Sequence, residues 1–445
     1  MPRLPGAALR RRPARRARAA LAQARAVPDA ERERGADRAA DLAASSCPTS
    51  ARRSRSCDVS WRRRAGSATR SKVSEVSLHP FRHLYVHIPF CKHKCGYCDF
   101  NAYAGMDRLM PDYVDALERE LGFARERYTF QELETVYLGG GTPSLLPPHL
   151  IARLLGFIRR ELNVATDAEV TLEANPASTD EARIEAWMKG GVNRLSLGVQ
   201  GFDPRALAVL ERKTDAAQAT RAFRLARAMG MANISVDLIY AVPYQDMAAW
   251  IETLRRAIAL GPDHVSTYCL SFEEGTLLHR RRAEGRVPEV DSDLQWDQLD
   301  AACVELEAAG FRRYEVSNWS RPGFESRHNQ AYWRCRPVYG AGAGAHSYAT
   351  DGTGAWRWWN VARPREYIAA TPSPRADGEE LEPRKAVAES LMLGLRTADG
   401  MTAPAGFDAE LSRLVRAGLV ERRSGRIVPT RRGLDLHNQI ALAVL

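Results

Sequence analysis

Six short apolar runs, each ending abruptly in polar or glycine-rich residues, limit the folds open to this chain more than any other feature. They occupy residues 84–88, 135–138, 168–172, 194–197, 234–239 and 264–270. The first run leads into a group of cysteines, and the other five lead, in order, into the stretches 139–143, 173–176, 198–200, 241–243 and 271–273. Between the runs, stretches such as 113–127 and 150–162 have the period of helices that lay one face on a sheet. Strands alternating with helices imply a parallel sheet. In a parallel barrel the residues just after each strand gather at the C-terminal rim, where such folds assemble their sites. Six units are too few to close an eight-stranded barrel. The expected fold is therefore α/β, an open partial (β/α)6 TIM-like barrel.

The first rim segment carries Cys91, Cys95 and Cys98 within eight residues. Three soft thiolate donors on one loop select an iron–sulfur cluster or zinc. A four-iron cubane held by three cysteines leaves one iron without a protein ligand, a vacancy that an amino-acid chelate can fill. A structural zinc needs a fourth donor, with His93 the only close candidate, and zinc explains none of the other five strand-end motifs. The remaining cysteines, at 47, 57, 269, 303 and 335, are scattered. Cys269 and Cys303 stand in apolar or helical surroundings and read as small hydrophobes.

With 445 residues and 45% hydrophobic content the chain is expected to be soluble, with two or three domains. Its net charge of +10 is not spread evenly. Residues 1–80 hold 19 Lys/Arg against 7 Asp/Glu, a net +12, so the remaining 365 residues carry −2. The basic excess thus lies apart from the folded body, and nucleic acid is not an expected partner. No run of about 18 apolar residues and no secretory h-region occurs, so a cytoplasmic location is expected. The Arg-, Ala- and Ser-rich residues 1–80 read as a disordered extension. A transit peptide is the other reading, although Asp37 and Asp41 carry the composition beyond a short amphipathic leader. No Met stands between Met1 and Met106, which makes Val73 and Val76 candidate start positions. The expected division is an extension at 1–80, a barrel at 81–320, a segment at 321–375 packing on it, and a C-terminal domain at 376–445.

The cysteine spacing, together with Tyr85-Val86-His87-Ile88-Pro89-Phe90-Cys91 and the glycines after Leu138, resembles the radical S-adenosylmethionine (SAM) proteins around oxygen-independent coproporphyrinogen III oxidase. Within that group it is similar to the HemW-type heme chaperones, over residues 82–445. The resemblance implies a [4Fe-4S] cluster on Cys91, Cys95 and Cys98, with SAM beside it. It also implies that Gly140, Gly141 and Thr142 contact the methionine part of SAM, where residues without side chains allow close backbone approach. Glu173 would bind a SAM amino or hydroxyl group, and Tyr85 would lie beside the cofactor. Gln200, Arg212 and Asp237 match positions that in the oxidase contact a second SAM. Singly, each is an ordinary polar residue near a strand end, and their joint occurrence on successive strands carries the reading.

Two features favour chaperone over oxidase. The oxidase has a further cysteine two residues after the third, whereas Asp99 and Phe100 follow Cys98 here. The segment containing His328, Asn329, Tyr332 and Trp333 resembles the chaperones' His-Asn-x-x-Tyr-Trp signature. His328 can ligate heme iron, the aromatics can cover the macrocycle, and Arg327 or Arg334 can pair with propionates. The plainer alternative is a buried histidine beside core aromatics. The implied function is heme binding and delivery to acceptor proteins, respiratory membrane-associated ones included, with a homodimer left open. The second reading is an oxidase decarboxylating coproporphyrinogen III in porphyrin biosynthesis, and the third is a zinc-stabilised binding module. Ser326 replaces a frequent cysteine of the family, and Cys335, Ala241 and Tyr244 replace glycines. The glycine-rich stretch 339–347 lacks the strand-to-helix context of a phosphate cradle and reads as a close-packed loop, with His346 a secondary heme-ligand candidate. Helices at 386–395 and 409–416, a hairpin turning at Ser424-Gly425 and a final helix resemble a small winged-helix-like domain. Its Arg422, Arg423 and Arg426 read as a solvated surface, since no recognition helix is evident.

Overall fold

The computed structural model of the protein describes residues 78–445, and the expectations for residues 1–77 lie outside the described residues. The six runs become β1 (Phe81–Ile88), β2 (Phe130–Gly140), β3 (Val164–Ala174), β4 (Arg194–Gln200), β5 (Asn233–Tyr240) and β6 (His264–Cys269). They lie side by side in that order, all parallel. Connecting helices Met110–Arg127, Pro148–Glu161 and Met247–Ala259 bury Leu117, Leu154 and Trp250. Their starts are specified locally. At Ala216–Ala228, for instance, Asp215 accepts from the Gln218 N–H and the Gln218 side chain returns the bond, a capping box.

The barrel is the centre of a wider sheet. β7 (Arg312–Arg313) and β8 (Asn318–Ser320) add antiparallel beyond β6. On the opposite edge β9 (Val338–Ala341) pairs parallel with β1, and β10 (His346–Thr350), β11 (Ala355–Asn360) and β12 (Arg375–Leu381) follow antiparallel. The result is an open 12-stranded sheet in the order β12-β11-β10-β9-β1-β2-β3-β4-β5-β6-β8-β7. The glycine-rich stretch expected to be a loop is therefore corrected: it is a strand, a turn and the start of a second strand. Its glycines are needed because strands approach closely there. A Cβ on Gly340 would stand 2.1 Å from the His346 carbonyl oxygen.

The barrel strands carry most of their apolar side chains on one face. Leu84, Val86, Val136, Leu138, Leu172, Leu195, Leu197, Val236 and Leu238 are buried in the apolar core. On the other face Tyr85, Tyr137, Thr171 and Arg194 stand in register across β1–β4, and Glu173, Ser196, Ser235 and His264 across β3–β6. An ordinary closed barrel fills its interior with branched apolar layers. This one lines much of its interior with hydrogen-bonding groups, several of them bonded to one another.

After β12, helices Pro383–Gly394, Asp408–Arg416 and His437–Val444 pack with a three-stranded sheet around Leu391, Leu411, Ile427 and Ile440. The hairpin turning at Ser424 and Gly425 lies in that sheet. The unit is tied to the barrel side by Arg396, which donates to the fully buried carboxylate of Glu315 at 2.9 Å.

Candidate functional site

A cavity of about 680 Å³ opens at the C-terminal rim of the barrel, within the range of roughly 300–1,000 Å³ typical of small-molecule sites. Cys91, Cys95 and Cys98 line it together with Gly140, Gly141, Thr142, Glu173, Gln200, Arg212 and Asp237. Ten of the residues singled out in the sequence, spread from position 91 to 237, thus face one space. Tyr85 lies one layer beneath, its hydroxyl 2.9 Å from His87 Nδ1 and its ring stacked on Tyr137.

Local geometry explains the residue types. Cys91 ends the two-residue strand Phe90–Cys91, which pairs with Tyr103–Ala104, and its Sγ is 3.3 Å from Thr142 Oγ1. Gly141 is held against the root of this loop, where a Cβ would come within 2.8 Å of the Phe90 carbonyl oxygen. Gly140 has φ +111°, and a Cβ there would strike the His87 ring. The glycines therefore seat the cysteine loop as well as leaving backbone open to the cavity. Gln200, at φ +69°, follows a register shift in β4, a strained placement that sets its side chain at the rim.

Burial raises the pKa of the Cys91 thiol and pushes that of Cys98 up to about 11. Arg212 is buried beside them with Nη1 3.6 Å from Cys95 Sγ, a fixed positive charge at the sulfurs. Glu173 accepts from the Tyr137 hydroxyl at 2.7 Å and from Gly140 N–H at 3.0 Å, and burial pushes its pKa up to about 7. Asp237 is raised by burial and accepts from Ser196, Ser235 and Ser266. A cationic group entering the cavity finds two carboxylates held for it. Zn–S bonds of about 2.3 Å would bring the sulfurs within about 4 Å of one another. Among the described residues no three His, Cys, Asp or Glu side chains already gather that closely, which bears equally on zinc and on a cluster.

Sequence reasoning set aside Cys269, and this is corrected: it is exposed and lines the cavity with Tyr268 and Ser271. Its place at the end of β6 was the available signal. Cys303 is buried, as expected of a small hydrophobe.

The heme-motif residues do not line this cavity. His328 sits in the helix Arg327–Trp333, beneath the rim layer, stacked on Tyr137 with ring centroids 5.0 Å apart. It is 1% exposed; Nδ1 meets Thr135 Oγ1 at 2.7 Å and Nε2 meets the Tyr332 hydroxyl at 3.3 Å. Burial and the neighbouring His83 push its pKa down to about 3. Glu169 accepts from the backbone N–H groups of Arg327 and His328, both at 3.0 Å, anchoring the helix N-terminus to the barrel interior. Trp333 lies under Arg396, 4.4 Å from its ring centroid, and Asn329 N–H donates to Ser326 Oγ. As folded, His328 is buried with both nitrogens engaged, the arrangement of the plainer reading, and its part in heme binding belongs to the proposal below.

Residues 85–257 match the model of the radical SAM superfamily. The chain is 38% identical over 371 residues to heme chaperone HemW of Mycobacterium tuberculosis, covering 81% of this chain and 94% of that protein. It is 31% identical over 376 residues to heme chaperone HemW of Bacillus subtilis, covering 81% and 98%. Among solved structures, coproporphyrinogen III oxidase (HemN) from Escherichia coli superposes with a TM-score of 0.71 at 23% identity, covering 82% of this chain and 91% of that one.

Proposed function

Because the chain belongs to the radical SAM superfamily and, within it, to the HemW family, we propose that it binds heme and delivers it to acceptor proteins while holding a [4Fe-4S] cluster and SAM at the barrel rim. The observation that carries the rim assignment is the meeting of Cys91, Cys95, Cys98 and the SAM-side residues around one cavity. In this reading the three thiolates ligate the cluster, and Arg212 offsets their negative charge. Gly140, Gly141 and Thr142 present backbone and hydroxyl groups to the methionine end of SAM. Glu173 and Asp237 accept from its cationic and hydroxyl groups, Gln200 closes the rim, and Tyr85 fixes His87 from below. A bound, reduced cluster would supply an electron to SAM. Heme-acceptor proteins, the pairing of two copies of the chain and a winged-helix-like role for residues 376–445 belong to the same proposal. Among the described residues no helix is long and apolar enough to cross a membrane.

The test is a hemin titration of the cluster-loaded chain, with product analysis after incubation with SAM, reductant and coproporphyrinogen III. A saturable Soret band without porphyrinogen turnover is the expected result. Protoporphyrinogen formation would replace this reading with the oxidase. Replacing Cys91, Cys95 and Cys98 together by Ala should abolish the cluster's visible absorption, whereas Cys303→Ala should leave it. A full complement of four irons in the triple variant would overturn the ligand assignment.

A further inference from the structure

We propose that Asn101 is the positioning residue of the cysteine loop: it ties the end of the loop to the sheet extension beyond β9, and so aims a backbone N–H at the Cys98 sulfur. The inference rests on the cluster assignment above and adds to it a residue that ligates nothing. The loop at residues 91–104 is closed at its root, where Phe90–Cys91 pairs with Tyr103–Ala104 and Tyr103 N–H donates to the Pro89 carbonyl at 2.7 Å. Pairing at the root fixes where the loop starts and ends, but not the path of residues 98–102 just before the close.

Asn101 fixes that path with three hydrogen bonds. Its Nδ2 carries two hydrogens and both are used, on the carbonyls of Ala343 and Ala362, each at 2.9 Å. Ala343 lies in the turn between β9 and β10 and Ala362 just after β11, so the acceptors come from 242 and 261 positions further along the chain. The third bond uses the Asn101 carbonyl, 2.9 Å from His87 Nε2. A carbonyl can only accept, so the imidazole holds its proton on Nε2, and Nδ1 accepts from the Tyr85 hydroxyl at 2.9 Å. Burial lowers the His87 pKa and keeps this neutral form. Gly344 is required by the same contact: at φ +70°, a Cβ there would stand 2.5 Å from Asn101 Nδ2. The turn that supplies one acceptor also leaves the room for the amide.

The effect reaches the sulfur through the preceding residue. The Phe100 carbonyl accepts from Ala102 N–H at 2.7 Å and from Lys94 Nζ at 3.1 Å. Its N–H is directed at the Cys98 thiol, where it favours the thiolate against the effect of burial. The Phe100 ring is 61% exposed and cannot hold this orientation by packing. The bonds of Asn101 hold it instead. A hydrogen bond to a cluster sulfur favours the reduced, more negative state, so losing it lowers the reduction potential.

Two measurements on the full-length, cluster-loaded chain test the assignment: a redox titration followed by the EPR signal of the reduced cluster, and bleaching by a chelator. Asn101→Asp keeps the side-chain shape but sets oxygens against the Ala343 and Ala362 carbonyls, so the loop end is repelled. It should lower the midpoint potential and speed bleaching by about tenfold or more. Gly344→Ala leaves every loop residue in place and should shift both readouts the same way. The double variant should go little further, since both changes break one contact. Should Gly344→Ala not fold, Asn101→Ala, which deletes the donors without repulsion, is expected to lower the potential as well. Tyr103→Phe removes only a 3.5 Å bond to the same Ala362 carbonyl and should leave the potential unchanged. If the unaltered chain takes up no four-iron cluster, the cluster assignment falls and this one with it. If it takes up the cluster and Asn101→Asp has the same potential and bleaching rate, the role of Asn101 alone is overturned. Faster bleaching at an unchanged potential would also overturn it, leaving Asn101 a plain tie between loop and sheet.

Discussion

At the residue scale, three departures from the family pattern acquire a common cause. Ala241, Tyr244 and Cys335 stand where the sequence resemblance implies glycines, and all three adopt positive φ, +58°, +69° and +47°. An L-residue in that region costs roughly 1–2 kcal/mol, while glycine costs about 0.4–1 kcal/mol through its freer unfolded chain. Tyr244→Gly should therefore raise stability by about 0.5–1 kcal/mol, since this side chain is exposed and contributes little packing. Ala241→Gly should do the same to a smaller degree, because the buried methyl is lost. A thermal midpoint that falls in Tyr244→Gly would show that its ring makes contacts worth more than the strain. Ser326 departs differently: as N-cap of the helix Arg327–Trp333 it accepts from Asn329 N–H, a role that serine fills better than cysteine. These substitutions could be noticed in the sequence, but their cost could not, because it depends on backbone angles set by neighbouring strands.

At the scale of elements, the six barrel strands were legible because each ends in residues a strand cannot continue with, and the structure lengthens the first five, trims the sixth by one residue and keeps their order. Strands β9–β12 were not legible. Their glycines and tryptophans give no clean period of two, and β9, which joins them to the barrel, pairs with β1 some 250 residues earlier. Also hidden was the support of the cysteine loop by the helix Leu277–Ala283. Leu278 N–H donates to the Gly96 carbonyl at 2.7 Å, and Arg281 pairs with Glu211, whose side chain packs 3.2 Å from where a Gly96 Cβ would be. Residues that orient metal ligands from outside typically change metal retention by about 10–100-fold when removed. Glu211→Ala should accordingly speed loss of the cluster to a chelator by about tenfold with little change in the helix content. Bleaching at the wild-type rate would show that the loop holds its shape unaided.

At the scale of the whole molecule, one carboxylate joins distant parts of the chain. Glu120, 1% exposed in the helix Met110–Arg127, accepts from the Tyr339 hydroxyl at 3.3 Å and Asn360 Nδ2 at 2.7 Å on one oxygen, and from Gly342 N–H at 2.9 Å and the Tyr367 hydroxyl at 2.6 Å on the other. Every partner lies more than 200 positions away, so nothing in the helix distinguished Glu120 from its exposed neighbour Glu126. Tyr113, two turns earlier, donates to the His87 carbonyl and accepts from Ala343 N–H, so one helix holds both the barrel's first strand and the turn before His346. Burial pushes the Glu120 pKa up to about 7 from an ordinary 4.5, with no cation beside it. A carboxyl raised in the folded state stabilises fully below its unfolded pKa, and that contribution drains away as pH rises through the folded one. Over this window the loss amounts to about 3 kcal/mol. The thermal midpoint of the chain should fall between pH 5 and pH 8, with Glu173, raised to the same value, adding to the slope when no cation occupies the rim. Glu120→Gln removes the titration but turns an amide N–H₂ toward hydroxyl and backbone donors. It should be less stable than the natural chain at pH 5, and the deficit should shrink by pH 8, where the natural chain carries a buried charge. Midpoint curves that stay parallel across this range would mean that the four donors hold Glu120 ionised throughout, and that the pH dependence arises at the rim.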